Sequence, residues 1–406
     1  MSEKLVSDIL GNISFINMGQ SPDSIYYNEE GIGLPLIQGN ADIKERKSIK
    51  RFWTSQITKV CDEGDILMTV RAPVGYIGVA SFQSCVGRGV CSIKANGIDS
   101  KYLFYLLVQN EDKWKAFEAG TTFSAVTSKE VLNFPLLVTK SETEQQNIAK
   151  ILSTADSVIE KTQAAIAKYK VIKQGMLQDL FTRGIDINTN KIRPPYEDAP
   201  ELYKESKLGM IPREWEDKEL GDVGEVRMCR RVFNYETSDQ GDIPFYKIGT
   251  FGKQPDAYIS KELYDSYRQQ FSFPNKGDIL ISAAGTIGRT IIYDGTPSYF
   301  QDSNIVWIEN NGDLISNDYL YQVFQIVEYK TEGGTIQRLY NSILKSALFP
   351  CPSKPEQQLI TERLKAIDNK LRTEQTYLQK MQSLKKGLME DLLSGKKQIK
   401  VNEAAV

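Results

Sequence analysis

The sequence predicts an α+β chain: two mainly-β globular halves, each followed by a long helix, with the two helices paired antiparallel as a coiled coil. Three observations carry this. A heptad-patterned segment occurs twice, 212 residues apart and without a gap, from Glu144-Gln145-Gln146 to Asp179-Leu180-Phe181-Thr182 and from Glu356-Gln357-Gln358 to Asp391-Leu392-Leu393-Ser394. Landmarks outside the helices recur in the same order. Gly64-Asp65-Ile66-Leu67 matches Gly277-Asp278-Ile279-Leu280, Tyr102-Leu103 matches Tyr319-Leu320, Gly120-Thr121 matches Gly334-Thr335, and Phe134-Pro135 matches Phe349-Pro350. Between these landmarks lie short β-branched and aromatic runs bounded by turn residues.

Taken in order, residues 1–140 form the first globular half. Its strands are expected at Ile66–Val70 and Ile77–Phe82, with a short helix over Lys101–Val108. Residues 141–183 are the first long helix. Residues 184–213, with Pro194, Pro195, Pro200 and Pro212, are polar and turn-rich and read as a linker laid over a surface. Residues 214–352 repeat the globular plan, with strands at Ile279–Ser282, Thr290–Tyr293 and Ile305–Ile308 and a helix over Asn317–Phe324. Residues 353–395 are the second long helix, and 396–406 a tail.

In the first helix one seam carries Leu152, Ile159, Ile166, Lys173 and Leu180, and the other Ile148, Ala155, Thr162, Tyr169 and Met176. In the second the seams carry Leu364, Leu371, Leu378, Lys385 and Leu392, and Ile360, Ile367, Glu374, Met381 and Leu388. A period of 3.5 residues held over roughly five heptads calls for a partner helix, and polar residues at equivalent seam positions fix register. The competing reading packs each helix on its own globular half, but the narrow seam and charged remaining faces argue against it. Equivalent helices meet through an isologous contact. About 39 residues at 1.5 Å each give a rod of roughly 58 Å, on the order of 17 base pairs of duplex.

Composition narrows the chemistry. With 406 residues, 41% hydrophobic and 25% charged, the chain can build two or three cores and has no apolar run long enough to span a bilayer. Five scattered cysteines, with no CxxC pair, read as reduced and cytoplasmic. The absence of histidine removes histidine-dependent triads and nearly every catalytic zinc site. The net charge of −2 announces no global basic field, so any nucleic-acid surface must be local.

Several motifs resemble catalytic ones and fail on detail. Ala284-Gly285-Thr286-Ile287-Gly288 lacks the Lys-Ser/Thr of a phosphate-binding loop and reads as a hairpin turn. Arg193 precedes Pro194-Pro195-Tyr196, where a methyltransferase needs Asn or Asp as a hydrogen-bond acceptor. Asp23, Asp42 and Lys44 have nuclease-like spacing without an equivalent in the second half. The expectation is therefore no catalysis, no metal and no cofactor.

DNA contact has better local support. Lys44, Arg46, Lys47, Lys50 and Arg51 crowd into one run followed by Phe52-Trp53, a composition that suits phosphate. In the second half the cations are dispersed at Arg227, Arg230, Arg231, Lys247, Arg268 and Arg289. Arg71, Arg88, Gln301, Asn304, Gln337 and Arg338 lie near the landmark turns and are candidates for reading bases, because Arg suits guanine and Gln or Asn adenine. Unlike cation patterns on one scaffold imply unlike half-sites.

Together the repeated Glu-Gln-Gln helix openings, the Gly-Met-Leu-Gln-Asp-Leu-Phe and Gly-Leu-Met-Glu-Asp-Leu-Leu endings, Gly-Asp-Ile-Leu once per half and Ile211-Pro212-Arg213-Glu214-Trp215 resemble the specificity subunit of Type I restriction–modification systems along essentially the whole chain. The resemblance implies two target-recognition domains held apart by an antiparallel helical pair, each reading half of a split site in double-stranded DNA. It also implies two methyltransferase subunits docked around the helices, endonuclease–translocase subunits as further partners, and no membrane. The N-terminus departs from it: no counterpart of the Ile-Pro-Arg-Glu-Trp segment precedes Leu5. The alternative is a duplicated coiled-coil adaptor that binds proteins.

Overall fold

The computed structural model describes residues 5–114, 125–329 and 338–397. Two compact units emerge, Met1–Ala165 with Glu374–Val406 and Ile166–Thr373. Where the sequence places boundaries at helix ends, the units divide inside both long helices, Glu142–Thr182 and Lys354–Leu393. The reason is burial. The core of the first unit takes Ile148, Ala149 and Leu152 from the start of the first helix and Leu392 and Leu393 from the end of the second. The second unit does the converse with Leu180, Phe181, Ile360 and Leu364.

The central strands of the β scaffold are duplicated, while the first unit adds further strands to both layers, among them Ile43–Lys44 and Lys47–Ser48, that have no counterpart among the described residues of the second. In the first unit Ser14–Met18, Val90–Ala95, Ile66–Thr69 and Ile77–Val79 are consecutive antiparallel neighbours in one sheet. In the second, Gly224–Met228, Ile305–Asn310, Ile279–Ser282 and Thr290–Ile292 repeat that order. A second layer pairs Leu34–Ile37 parallel to Ser84–Val86, and correspondingly Ile243–Tyr246 parallel to Tyr299–Phe300. A two-stranded ribbon at the entrance to each long helix joins Val6–Ile9 to Pro135–Val138 and Glu216–Glu219 to Leu348–Cys351.

The repeated motifs have local physical causes. Gly64 and Gly277 sit at φ of +88° and +96°, a conformation that favours glycine. The next residue closes the turn: Asp65 accepts from the Asp62 N–H at 2.9 Å and Asp278 from the Asn275 N–H at 2.7 Å. The following hairpin is locked by a hydroxyl, with Thr69 donating to the Pro73 carbonyl at 2.6 Å and Ser282 to that of Thr286 at 2.5 Å. The Gly285–Gly288 segment is thus a hairpin turn between antiparallel strands, as its sequence indicates. Gln145 and Gln357 stitch each long helix to the short helix before it. Their amide oxygens accept from Asp99 N–H (2.8 Å) and Ser316 N–H (3.2 Å), the cap residues of Ser100–Gln109 and Asn317–Ile326. The Gly120-Thr121 and Gly334-Thr335 landmarks lie outside the described residues.

Along the long helices the heptad seams are the shielded stripe. Leu152, Ile166, Leu364 and Leu371 are buried, while Ile159, Tyr169, Leu378 and Met381 are half-buried. Within the first unit Lys385 Nζ lies 2.5 Å from Asp156 Oδ1, and Tyr105 donates to the other Asp156 oxygen at 2.7 Å. Within the second unit Lys173 Nζ lies 2.5 Å from Asp368 Oδ1. Asp156 and Asp368 are equivalent positions, as are Lys173 and Lys385, so the two ion pairs are copies of one interaction. In each unit the helical segments therefore run in opposite directions side by side.

The segment 184–213 is more than a linker. It forms two short hairpins, Ile185–Asp186 with Lys191–Ile192 and Tyr203–Ser206 with Gly209–Pro212. Arg193 is buried against Glu356, whose carboxylate also accepts from Trp215 Nε1 (2.9 Å) and the Ile185 N–H (2.7 Å). Gly184, at φ of +65°, passes so close to Trp215 that an added Cβ would overlap the indole. In the first unit Gly395, at +70° and one residue before the equivalent of Gly184, lies under Leu5.

All five cysteines are buried and unbridged. Burial pushes the Cys61 and Cys351 thiols up to about 11 and those of Cys91 and Cys229 to about 12. Because the thiolate is the nucleophile, alkylation of the native chain at pH 8 should be slow and become fast only on unfolding. Mass spectrometry after brief iodoacetamide treatment, with and without denaturant, checks this; rapid native labelling would contradict it.

Candidate nucleic-acid interface

The basic run of the first unit is a hairpin. Ile43–Lys44 pairs with Lys47–Ser48 across Glu45 and Arg46, both at positive φ. Much of its charge is engaged within the unit. Arg46 forks onto Glu111, donates to the Ile77 carbonyl and lies over the Tyr76 ring. Lys47 pairs with Glu160 at 2.8 Å, Lys50 caps the Phe82 ring, and Arg51 pairs with the buried Asp42 at 3.1 Å. Lys44 stands exposed. Asp42 also accepts from the Gln38 and Gly39 N–H groups, so its carboxylate holds a turn together. Among the described residues no cluster of three metal-ligating side chains forms.

Beside this hairpin four backbone turns converge. Gln20 N–H donates to Val86 C=O (2.8 Å), Gly87 N–H to Ile37 C=O (2.8 Å), and Val70 N–H to Gly89 C=O (2.9 Å). An added Cβ on Gly89 would stand 2.1 Å from the Gln38 carbonyl, so only glycine permits the approach. Ser21 Oγ accepts from the Arg88 N–H at 3.1 Å. These turns enclose an open cleft of about 660 Å³. Asp23, Gln38, Asn40, Arg71 and Arg88 line it, and all five are exposed. The sequence singles out Arg71 and Arg88; it gives no reason to add Gln38 and Asn40, which only the parallel strand pairing brings to them.

The cations of the second unit are mostly spent. Arg227 pairs with Glu309 at 2.8 Å, Arg231 with Asp302 at 3.3 Å and Lys247 with Asp256 at 3.2 Å. Arg230 lies over Phe271 and Arg268 over Tyr264 and Phe273, while Arg289 donates to the Phe251 carbonyl at 2.8 Å. Gln301 accepts from the Ile248 N–H at 2.9 Å. Asn304 is half-buried, its backbone carbonyl accepting from the Ala283 N–H. Exposed Arg338 forms an isolated bridge to Ala284. Gln337 lies outside the described residues. Near Arg230 and Arg231 in sequence, the exposed rings of Phe233 and Tyr235 stack with centroids 5.6 Å apart, a pair that sequence reasoning passes over.

A duplicated β scaffold with unlike turn chemistry, and helical segments joined within each unit by matched ion pairs, defines an internally repeated two-unit protein. The chain belongs to the family of the Type I restriction modification DNA specificity domain, whose model matches residues 10–168 and 212–383. A protein of Haemophilus influenzae bearing the name of a type I restriction enzyme specificity subunit is 58% identical over 165 residues, 40% of this chain and 43% of that one. A type I restriction enzyme specificity subunit of Methanocaldococcus jannaschii is 26% identical over 319 residues, 75% of this chain and 71% of its own length. The chain spans less than half the length of the first of these. In fold it is similar to the S subunit of a Type I restriction–modification system from M. genitalium, with a TM-score of 0.62 at 15% identity, covering 95% of each chain. Among the described residues no helix is long and apolar enough to cross a membrane.

Proposed function

We propose that this chain is the non-catalytic DNA-reading subunit of a Type I restriction–modification complex acting in the cytoplasm. Each unit reads one half of a bipartite, asymmetric site in double-stranded DNA. The long helices form a coiled coil that sets the gap between half-sites and docks two methyltransferase subunits. Partner subunits supply methyl transfer, cleavage and translocation, and this chain binds no cofactor. The observation that carries the reading is one strand order bearing different residues at corresponding turns: Arg71 where the second unit has Ala284, and Gln38 where it has Lys247. A scaffold kept constant while its presented side chains change suits recognition of two unlike sequences.

Lys44 and the rim of the basic hairpin meet phosphate in this reading, with Lys50, Arg230 and Arg268 reaching it from the ring faces they cover and Lys47, Arg231 and Lys247 recruited from weak surface ion pairs. Exposed ion pairs are worth about 0–1 kcal/mol, so phosphate can displace them. Mapping methylated positions in cells carrying the complete system tests the proposal. A split site is expected, and exchanging residues 1–140 for another reader should change one half while sparing the other. Change in both halves would defeat it. A protein-binding adaptor predicts no marked DNA site and no steep fall of DNA affinity with salt.

A further inference from the structure

We propose that the cleft of the first unit is a base-reading site for groove edges offering both donors and acceptors. Arg71 and Arg88 donate to a guanine, and Asp23 accepts from the amino group of a cytosine or adenine. This rests on the DNA-reading function proposed above and assigns its residues. The chemistry of the lining decides between ligands. A phosphate offers only acceptors and a negative charge, so it could use the two guanidinium groups but would be repelled by Asp23. A metal ion would find one carboxylate beside two cations. Base edges present donors and acceptors together, and each lining group then has a counterpart.

Two further observations point the same way. The donors are unspent: among the described residues no hydrogen bond or ion pair is formed by the side chains of Arg71, Arg88, Gln38 or Asn40, while Arg46 and Arg51 close by are engaged; Asp23 Oδ1 accepts a long hydrogen bond from the Ile25 N–H at 3.5 Å, and its other oxygen is left to a ligand. Their supports are fixed, because backbone hydrogen bonds and the glycine approach at Gly89 lock the four turns before any ligand arrives. Rigid backbone with free side-chain donors is the arrangement that yields specific recognition at low ordering cost. The matching place in the second unit is built differently. Arg231, which aligns with Ser21, pairs with Asp302 at the surface; Lys247, which aligns with Gln38, pairs with Asp256; and Ala284 stands where the first unit has Arg71. The two units therefore read by different chemistry: the second presents Arg338, bridged to Ala284, where the first presents Arg71 itself.

The test uses the complete system in cells, with methylated sites mapped genome-wide for Arg71→Ala, Arg88→Ala and the near-isosteric Asp23→Asn. Co-purification of each variant with its partner subunits shows that it folds. Each substitution is expected to relax one or two positions of a single half-site, with selectivity there falling about 10-fold or more, and to leave the other half-site intact. A guanine should be the base relaxed by the arginine changes. An unchanged recognition sequence overturns the proposal. So does a uniform loss of methylation at every site, with a shallower salt dependence, because that marks phosphate contact. Failure of the unaltered system to mark any split site would instead bring down the DNA-reading function itself.

Discussion

Replacing Glu356 with alanine will destabilise the second unit by about 3–5 kcal/mol, the usual cost of stranding one member of a buried ion pair. The Glu356 side chain is 2% exposed and that of Arg193 8%. The guanidinium forks onto both carboxylate oxygens, and Trp215 Nε1 and the Ile185 N–H donate to the same group. Its removal leaves three buried donors facing a void, and Glu214, 76% exposed, cannot compensate for a charge in the interior. The first unit supplies the control. The equivalent Glu144 is half-buried and, among the described residues, accepts only from the Thr139 hydroxyl, at 2.5 Å, so Glu144→Ala should cost about 1 kcal/mol. Urea unfolding of the two variants measures the difference. Equal losses would mean that the segment 184–213 is not held by this carboxylate.

Lengthening both long helices by one heptad will widen the gap in the recognised sequence by about 3 base pairs, if the coil acts as the proposed spacer. Seven residues add about 10.5 Å at 1.5 Å each, against 3.4 Å per base pair. The ion pairs dictate where the insertions go. Asp156 faces Lys385 in one unit and Lys173 faces Asp368 in the other. Insertions after Lys170 and after Lys370 therefore fall opposite one another and leave both pairs in register. Whole heptads also keep the seam facing its partner. An insertion in one helix alone should instead break the Asp368 pair and impair assembly. The readout is the methylated sequence in cells; an unaltered gap in the double insertion would reject the spacer role.

Much of this architecture was legible because its signals are short-range or periodic. The heptad seams translate directly into the shielded stripe from Ile148 to Leu180 and from Ile360 to Leu392. Gly-Asp-Ile-Leu announced a turn followed by a strand, since a positive-φ glycine and a carboxylate reaching back three residues are local requirements. The candidate site was less legible. A basic run advertises charge but not who neutralises it, and Arg46 finds Glu111 through folding across 65 residues. Gln38 and Asn40 look unremarkable until the parallel pairing of Leu34–Ile37 with Ser84–Val86 carries them to Arg88.

By itself the amino-acid order settled that this molecule is double, that each copy leads into a long helix, and that no histidine-dependent chemistry resides in it. Those properties reside in periodicity, repetition and composition. Only the tertiary structure decided that each unit borrows the end of the other copy's helix, that Asp156 meets Lys385 and Asp368 meets Lys173, and that Arg193 is buried on Glu356. The physical reason is that apolar burial and charge compensation depend on neighbours in space, which in these cases come from residues 163 or more positions away in the chain.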